Sequence, residues 1–377
     1  MRRAMYAFSG DPITYGHIDI IERASRAFDE IVVGIGVNPD KNYMFSLEER
    51  KEMAERSLGE IPNADVVSFE GMLVDYAYEN DIPVVIKAVR NQADIEYEKV
   101  LHQVGESQEL GIDTHILFAR PELSHISSSN VKAIQNEQGR IDSYVPLYVK
   151  QCLEARMSGQ YMLGITGEIG AGKSYVSEKF VQLGKERGIE VHNIELDHIV
   201  HRIYDTLKAP RYMKVRNEIA DAFGDDVILP DSTIDRKALG EIVFQDSEKL
   251  SRLNEIIYRP LMLRVRKDMY GKKGLILFNA ALIAESDMSY MSNNNVVVVT
   301  ADKESKDVRL TEKGLTYEQI ERRLKSQYSS EDKISGIEKT IEESGYGKIW
   351  ELDNSADSDP YDIEKVFENV IEELKVI

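Results

Sequence analysis

The 377 residues predict an α/β protein of two domains in tandem, each built on a doubly wound parallel sheet. Three observations carry that reading. Short β-branched, apolar runs alternate with longer stretches of helical periodicity, which implies βαβ units. The runs are apolar on both faces, as buried parallel strands are. The pattern then restarts near residue 161 with a new strand, a Gly-rich turn and a helix.

In the first half, strands are expected over residues 4–8, 31–37, 64–69, 83–86 and 114–118, with helical stretches such as 17–28, 47–57 and 73–78 between them. The small, polar stretch Met157-Ser158-Gly159-Gln160 reads as a boundary and gives domains of 1–157 and 161–377. In the second half, strands are expected over 161–166, 190–194, 275–278, 296–299 and 348–352, separated by long charged helices. A polar loop over 355–360 precedes a last amphipathic helix. There is no internal repeat.

A net charge of −19, from 66 acidic and 47 basic residues, argues against a nucleic-acid or anionic-membrane partner, either of which wants a basic surface. It is compatible with small phosphate sites, which need only local cations and backbone N–H groups. The single cysteine, Cys152, rules out an internal disulfide and a thiolate metal cluster. A cytoplasmic protein is the expectation. No apolar run long enough for a signal peptide core follows Arg2 and Arg3, and no run long enough to span a membrane occurs.

Gly167-Glu168-Ile169-Gly170-Ala171-Gly172-Lys173-Ser174 fits the P-loop pattern, between a strand and a helix. Glycines there turn successive N–H groups onto phosphate oxygens, and the helix N-terminus adds positive potential. Lys173 is expected on the β- and γ-phosphates, Ser174 on Mg²⁺, and Tyr175 next to them in the ATP site. Farther on stand Ile194-Glu195-Leu196-Asp197, the run from Asp235-Arg236 to Phe244, Arg309-Leu310, the stretch 322–327 and Leu352-Asp353-Asn354-Ser355. On these the second half resembles dephospho-CoA kinases, over roughly 161–377. The resemblance implies a P-loop NTPase fold that phosphorylates the ribose of dephospho-CoA. Asp197 is then the base or orienter for the attacking hydroxyl, and Arg236 an acceptor contact. Glu195 is the alternative partner of a metal-bound water, and Arg309, Arg323 and Lys313 are candidates to close over the phosphates. Read alone, an Asp at a helix start is a cap. Two departures stand out: Asn279 replaces the family's Asp at the end of a strand, and Tyr258-Arg259-Pro260 replaces its His-Pro pair.

In the first half, Thr14-Tyr15-Gly16-His17 opens the first expected helix, and Ser124-His125-Ile126-Ser127-Ser128-Ser129 precedes a later one. Each has a plain alternative, a polar helix start and an N-cap. Together on an alternating fold they make two phosphate cradles. Four ordered blocks, 8–17, 38–50, 87–98 and 126–132, resemble bacterial phosphopantetheine adenylyltransferase, an HxGH-type nucleotidyltransferase of Rossmann-like fold. The resemblance implies attack of the phosphopantetheine phosphate on the α-phosphate of ATP, with Mg²⁺ on the triphosphate. It places His17 and Arg90 on the ATP phosphates, and Lys41 and Lys87 on the nucleophilic phosphate with Ser9 bridging. Leu73 falls on the pantetheine arm. Gly10, Ala88, Val89, Glu98, Ser124 and Ser127 to Ser129 fall in the ATP site. Here too the chain departs. Lys87-Ala88 replaces Arg-Gly, trading a bidentate fork for a point charge. Phe8 and Gly10 have exchanged places relative to the family.

The combined expectation is a bifunctional enzyme whose first product is its second substrate, with ATP, 4′-phosphopantetheine and dephospho-CoA as partners. A homo-oligomer through the first domain is expected with it. Two alternatives stay open: the same folds acting on other phosphate or nucleotide acceptors, and a kinase with an inactive, regulatory first half.

Overall fold

In the computed structural model, described for residues 2–243, 246–281, 283–314, 316, 320, 321 and 327–376, the chain divides into two compact units, 1–153 and 154–377. Of the sequence motifs, Arg323 and the rest of 322–326, Phe244 and Leu282 lie outside the described residues.

The first unit runs β1 (Arg3–Phe8), α1 (Tyr15–Ser25), β2 (Glu30–Gly36), α2 (Leu47–Ser57), β3 (Ala64–Phe69), α3 (Leu73–Glu79), β4 (Val84–Val89), α4 (Gln92–Glu106), β5 (Asp113–Phe118), α5 (Ser128–Asn136) and α6 (Leu147–Leu153). Its five strands are parallel in the order β3-β2-β1-β4-β5. Chain direction across the sheet reverses between β1 and β4, and the crevice beyond their C-terminal ends is where such sheets take ligands. Met5, Val32, Ala77, Ile82 and Val85 pack one face of the sheet. The expectation of strands buried on both faces holds for β1 and β2 and fails at the edge, where β5 is largely exposed. An edge strand lacks a neighbour on one side, so an apolar sequence there does not imply burial.

The second unit runs β6 (Gln160–Gly167), α7 (Lys173–Arg187), β7 (Val191–Glu195), α8 (Leu196–Tyr204), α9 (Pro210–Phe223), α10 (Arg236–Val243), α11 (Ser247–Met269), β8 (Gly274–Asn279), β9 (Asn295–Thr300), α12 (Lys303–Glu312), α13 (Ser330–Ser344), β10 (Lys348–Asp353) and α14 (Asp362–Leu374). Its sheet is again parallel, in the order β10-β9-β6-β8-β7. Central β6, β8 and β9 are buried almost throughout. Phe180 of α7 and Phe367 of α14 meet edge to face at 5.2 Å and cover one side. A second core gathers α8, α9, α10 and α11 around Ile203, Val215 and Ile219. Among the described residues no helix is long and apolar enough to cross a membrane.

Candidate active sites

In the first unit, β1 ends at Phe8 and hands the chain to Ser9, Gly10 and the cis peptide Asp11–Pro12, after which Thr14 caps α1. His17 stands in the first turn of that helix. Its Nδ1 accepts from the Thr14 N–H at 3.1 Å and lies 2.9 Å from Thr14 Oγ1. In the neutral ring this leaves the proton on Nε2, so the free nitrogen is a donor. Burial, with the charges of Arg90 and Lys41 nearby, pushes the imidazole down to about 4. His17 is therefore neutral at pH 7.

Of the other predicted side chains, Arg90 and Lys41 lie close enough to act on it electrostatically. Lys41 Nζ donates to Ser9 Oγ at 3.1 Å. Exposed Arg90 follows β4 and is held by Asp94, which accepts from the Arg90 backbone N–H at 2.9 Å and from Nε at 3.0 Å. Lys87 pairs with Glu98 at 3.0 Å, both largely buried. Ala88 and Val89 end β4, and Leu73 starts α3. The serines are more committed than the sequence suggests. Ser127 caps α5, Ser128 Oγ donates to the Pro12 carbonyl at 2.8 Å, and Ser124 Oγ donates to Pro121 at 2.9 Å. Two of the expected cradle hydroxyls thus spend their protons on carbonyls. What α5 presents is chiefly its first-turn N–H groups.

Three residues that sequence reasoning did not single out hold this loop. Asp11 is buried and accepts from Lys132 Nζ at 2.7 Å and from the Phe45 N–H at 3.0 Å. Arg50, with 1% of its surface exposed, donates to the carbonyls of Ser9 and Gly36 and lies 4.0 Å over the Tyr43 ring. All three stood inside recognised blocks, but nothing in the linear pattern separates a charge that binds backbone from one that meets solvent.

In the second unit, the P-loop is shaped by backbone that side chains cannot adopt. Gly172 has φ +97°, and a Cβ there would lie 2.1 Å from Asn354 Nδ2. Gly167 is as tight, its Cβ position 2.1 Å from the Val299 carbonyl. Gly170 also has positive φ. Ala171 is buried, and its carbonyl accepts from Asn354 Nδ2 at 2.8 Å. Lys173 Nζ donates to the carbonyls of Gly167 and Glu168 at 2.9 and 3.1 Å. Burial lowers its ammonium to about 8, with Lys333 and Lys313 adding to the effect and Asp197 and Glu285 opposing it. Ser174 and Tyr175 are exposed in the first turn of α7.

Asp197 sits exposed in the first turn of α8 and faces Lys173 electrostatically. Glu195 is engaged by Asn193 at 3.1 Å and His198 at 3.2 Å. Asp235 caps α10 by accepting from the N–H groups of Lys237 and Ala238, which leaves Arg236 exposed at the helix start. Arg309 does not stand free over the loop: it donates to the carbonyls of Gly170, Ala171 and Asn354. Asn279 is buried and donates to Ser177 Oγ at 3.0 Å, a bond the family's ionised Asp has no proton to make.

Four more residues brace this site: Glu168, at a variable position of the P-loop, and Lys306, Lys333 and Glu285. Glu168 accepts from Lys306 at 2.6 Å and from the Ser330 N–H at 2.9 Å. Lys333, fully buried, donates to the Ala281 carbonyl at 2.7 Å and to Glu285.

Comparison with known proteins fits this geometry. A family model described as cytidylyltransferase-like matches residues 9–134, and one described as dephospho-CoA kinase matches 161–347. Phosphopantetheine adenylyltransferase of Clostridium kluyveri is 44% identical over 146 residues, covering 39% of this chain and 89% of that protein. The chain belongs to the phosphopantetheine adenylyltransferase family. A second family member, from Geobacter metallireducens, is 39% identical over 155 residues, 41% of this chain and 95% of its own length. Behind its adenylyltransferase unit the chain carries a dephospho-CoA kinase domain, and it is a bifunctional transferase of coenzyme A synthesis. A solved dephospho-CoA kinase from Campylobacter jejuni is 20% identical, covering 57% of this chain and 97% of its own, at a TM-score of 0.31, which is too low to carry an argument.

Proposed function

We propose that residues 1–157 transfer AMP from ATP to 4′-phosphopantetheine and that residues 161–377 phosphorylate the ribose 3′-hydroxyl of the resulting dephospho-CoA. The observation that carries the first step is the neutral His17, held by Thr14 with its Nε2 proton free and with Lys41 and Arg90 close enough to lower its basicity. Such a donor stabilises charge on the α-phosphoryl group as pyrophosphate leaves. Arg90 and the first-turn N–H groups of α5 take the remaining ATP oxygens. Ser9, Gly10, Ala88, Val89, Glu98 and Ser124 line the ATP side. Lys41 and Ser9 receive the nucleophilic phosphate, Lys87 supports it, and Leu73 meets the pantetheine arm.

In the second unit, the backbone of Gly167, Gly170, Ala171 and Gly172 wraps the triphosphate, and Lys173 leaves its carbonyl partners for the β- and γ-phosphates. Asp197 accepts the proton of the attacking hydroxyl, and Arg236 binds the acceptor. Among the described residues no cluster of three metal-ligating side chains occurs. The donors present, the Ser174 hydroxyl and the Asp197 carboxylate, are hard oxygens. They would suit a Mg²⁺ that arrives with ATP. The ion neutralises the triphosphate.

The first unit is also proposed to self-associate. In α4, Tyr97 is 58%, Val100 56% and Val104 46% exposed, and on β5 Phe118 is 65% exposed. Tyr97, Val100 and Val104 recur at i, i+3 and i+7 and so share one exposed apolar stripe of the helix.

Purified protein given ATP, Mg²⁺ and phosphopantetheine is expected to release pyrophosphate and then form CoA. Supplied dephospho-CoA is expected to yield CoA without pyrophosphate. Turnover that prefers another acceptor, such as glycerol phosphate, would overturn the substrate assignment.

A further inference from the structure

The exchange of Phe8 and Gly10 relative to the family has a geometric counterpart in the site. Tyr6 and Phe8 are two residues apart on β1, so both side chains stand on one face of the sheet. Their rings stack at 5.1 Å with 30° between planes. Phe8 in turn lies 4.4 Å from the His17 ring, with only 12° between their planes. Gly10 follows at φ +64°, and a Cβ there would come within 3.2 Å of Ile35 Cδ1 and 3.4 Å of Phe8 Cε2. The positive φ and the closeness of Ile35 favour glycine at position 10, beside the ring at position 8.

We propose that Phe8 is a positioning residue for adenylyl transfer, its ring fixing the plane of the His17 imidazole. Two constraints then act on that ring. Thr14 sets its rotation and tautomer through Nδ1, and Phe8 sets its tilt and shields one face from water. Nε2 is left without a hydrogen-bond partner among the described residues. Other groups facing the imidazole are the cations Lys41, from the loop after β2, and Arg90, after β4. Of these neighbours, Phe8 is the one whose ring stacks on the imidazole. Without the stack, the ring can pivot about its Nδ1 contacts to Thr14, and a donor misplaced by a fraction of an ångström loses much of its value.

The proposal rests on the adenylyl-transfer reading of the first unit, so wild-type pyrophosphate release is measured first, and its absence sinks that reading rather than this one. The test then compares F8A, F8L and F8Y in the full-length chain. In F8A, kcat for pyrophosphate formation is expected to fall about tenfold with KM for ATP changed less than twofold. F8Y, which keeps the stack, is expected to match wild type, and F8L to behave like F8A. CoA formation from supplied dephospho-CoA serves as an internal activity control. Nitrogen NMR of the His17 ring supplies a readout independent of turnover: its titration midpoint is expected to move upward in F8A and F8L and to stay in F8Y. An unchanged kcat and midpoint in F8A would overturn the proposal. So would F8L equal to wild type, which would reduce the ring to bulk, or an F8A faster than wild type, which would make the ring an obstruction.

Discussion

Replacing Lys333 by Met tests whether the kinase site is braced from behind by a buried ion pair. The side chain of Lys333 has no exposed surface, and that of Glu285 has 13%. Nζ satisfies both the Ala281 carbonyl and Glu285, while Glu285 has one further partner in the Tyr328 N–H at 3.1 Å. Methionine fills nearly the same volume and carries no charge, so the loss is electrostatic rather than a cavity. Removing one partner of a buried pair costs about 3–5 kcal/mol, because the other charge is left desolvated. For a unit of this size that is a fall in melting temperature of about 10 °C. The chain holds one tryptophan, Trp350, buried on β10 of the second unit. Its fluorescence, excited clear of the tyrosines, therefore reports the unfolding of that unit alone. The double variant K333M/E285Q removes both charges and is expected to recover at least half of the loss. A shift under about 2 °C in K333M, or a double variant no more stable than the single, would refute the pairing.

Four further outcomes follow from the same geometry. Because His17 is depressed to about 4 and acts neutral, adenylyl transfer is expected to persist through pH 6 and to fail only as pH drops through about 4, read from the acid limb of kcat; a limb near 6.5 would contradict the site. H17A is expected to lower pyrophosphate formation by about 10²–10³-fold while leaving CoA formation from dephospho-CoA intact. Lys173 titrates near 8 in the folded chain against 10.5 unfolded, so the unfolded state binds more protons between those values and stability rises with pH across that window. Relative to K173M, the wild type is expected to gain up to about 3 kcal/mol from pH 8 to 10.5 in urea melts followed at Trp350. Finally, R309M removes three donations to backbone carbonyls of the P-loop and its neighbour Asn354. It is expected to raise KM for ATP in the kinase assay and to leave pyrophosphate formation unchanged.

The alternation of strands and helices was legible along the chain because parallel strands and amphipathic helices differ in period and length. The first four strands fall within a few residues of where the apolar runs place them, and 83–86 extends to Val89 because a neighbouring strand pairs it that far. The P-loop and the turn before His17 were legible for a related reason: both are contiguous, and their chemistry depends on backbone within a few residues. Other features resisted. Arg309 was a candidate to close over the phosphates and instead binds backbone carbonyls, and nothing in the sequence singles out Lys333 from other helix charges, which are usually solvated. Asn279 read as a departure from the family's Asp, and its bond to Ser177 shows what the amide does.

The motif resemblance therefore pointed to the family that the relatives show, and local spacing pointed to the two folds and to the two turns at helix starts. Through-space packing settled the state of the groups that use them. Whether His17 is neutral, whether Lys173 is depressed, and which cations bind backbone instead of substrate all depend on desolvation and on partners distant in the chain. Arg309 meets Ala171, and Asp11 meets Lys132. Electrostatic energy falls with distance in space and is amplified by burial. Neither quantity is written in the order of the residues.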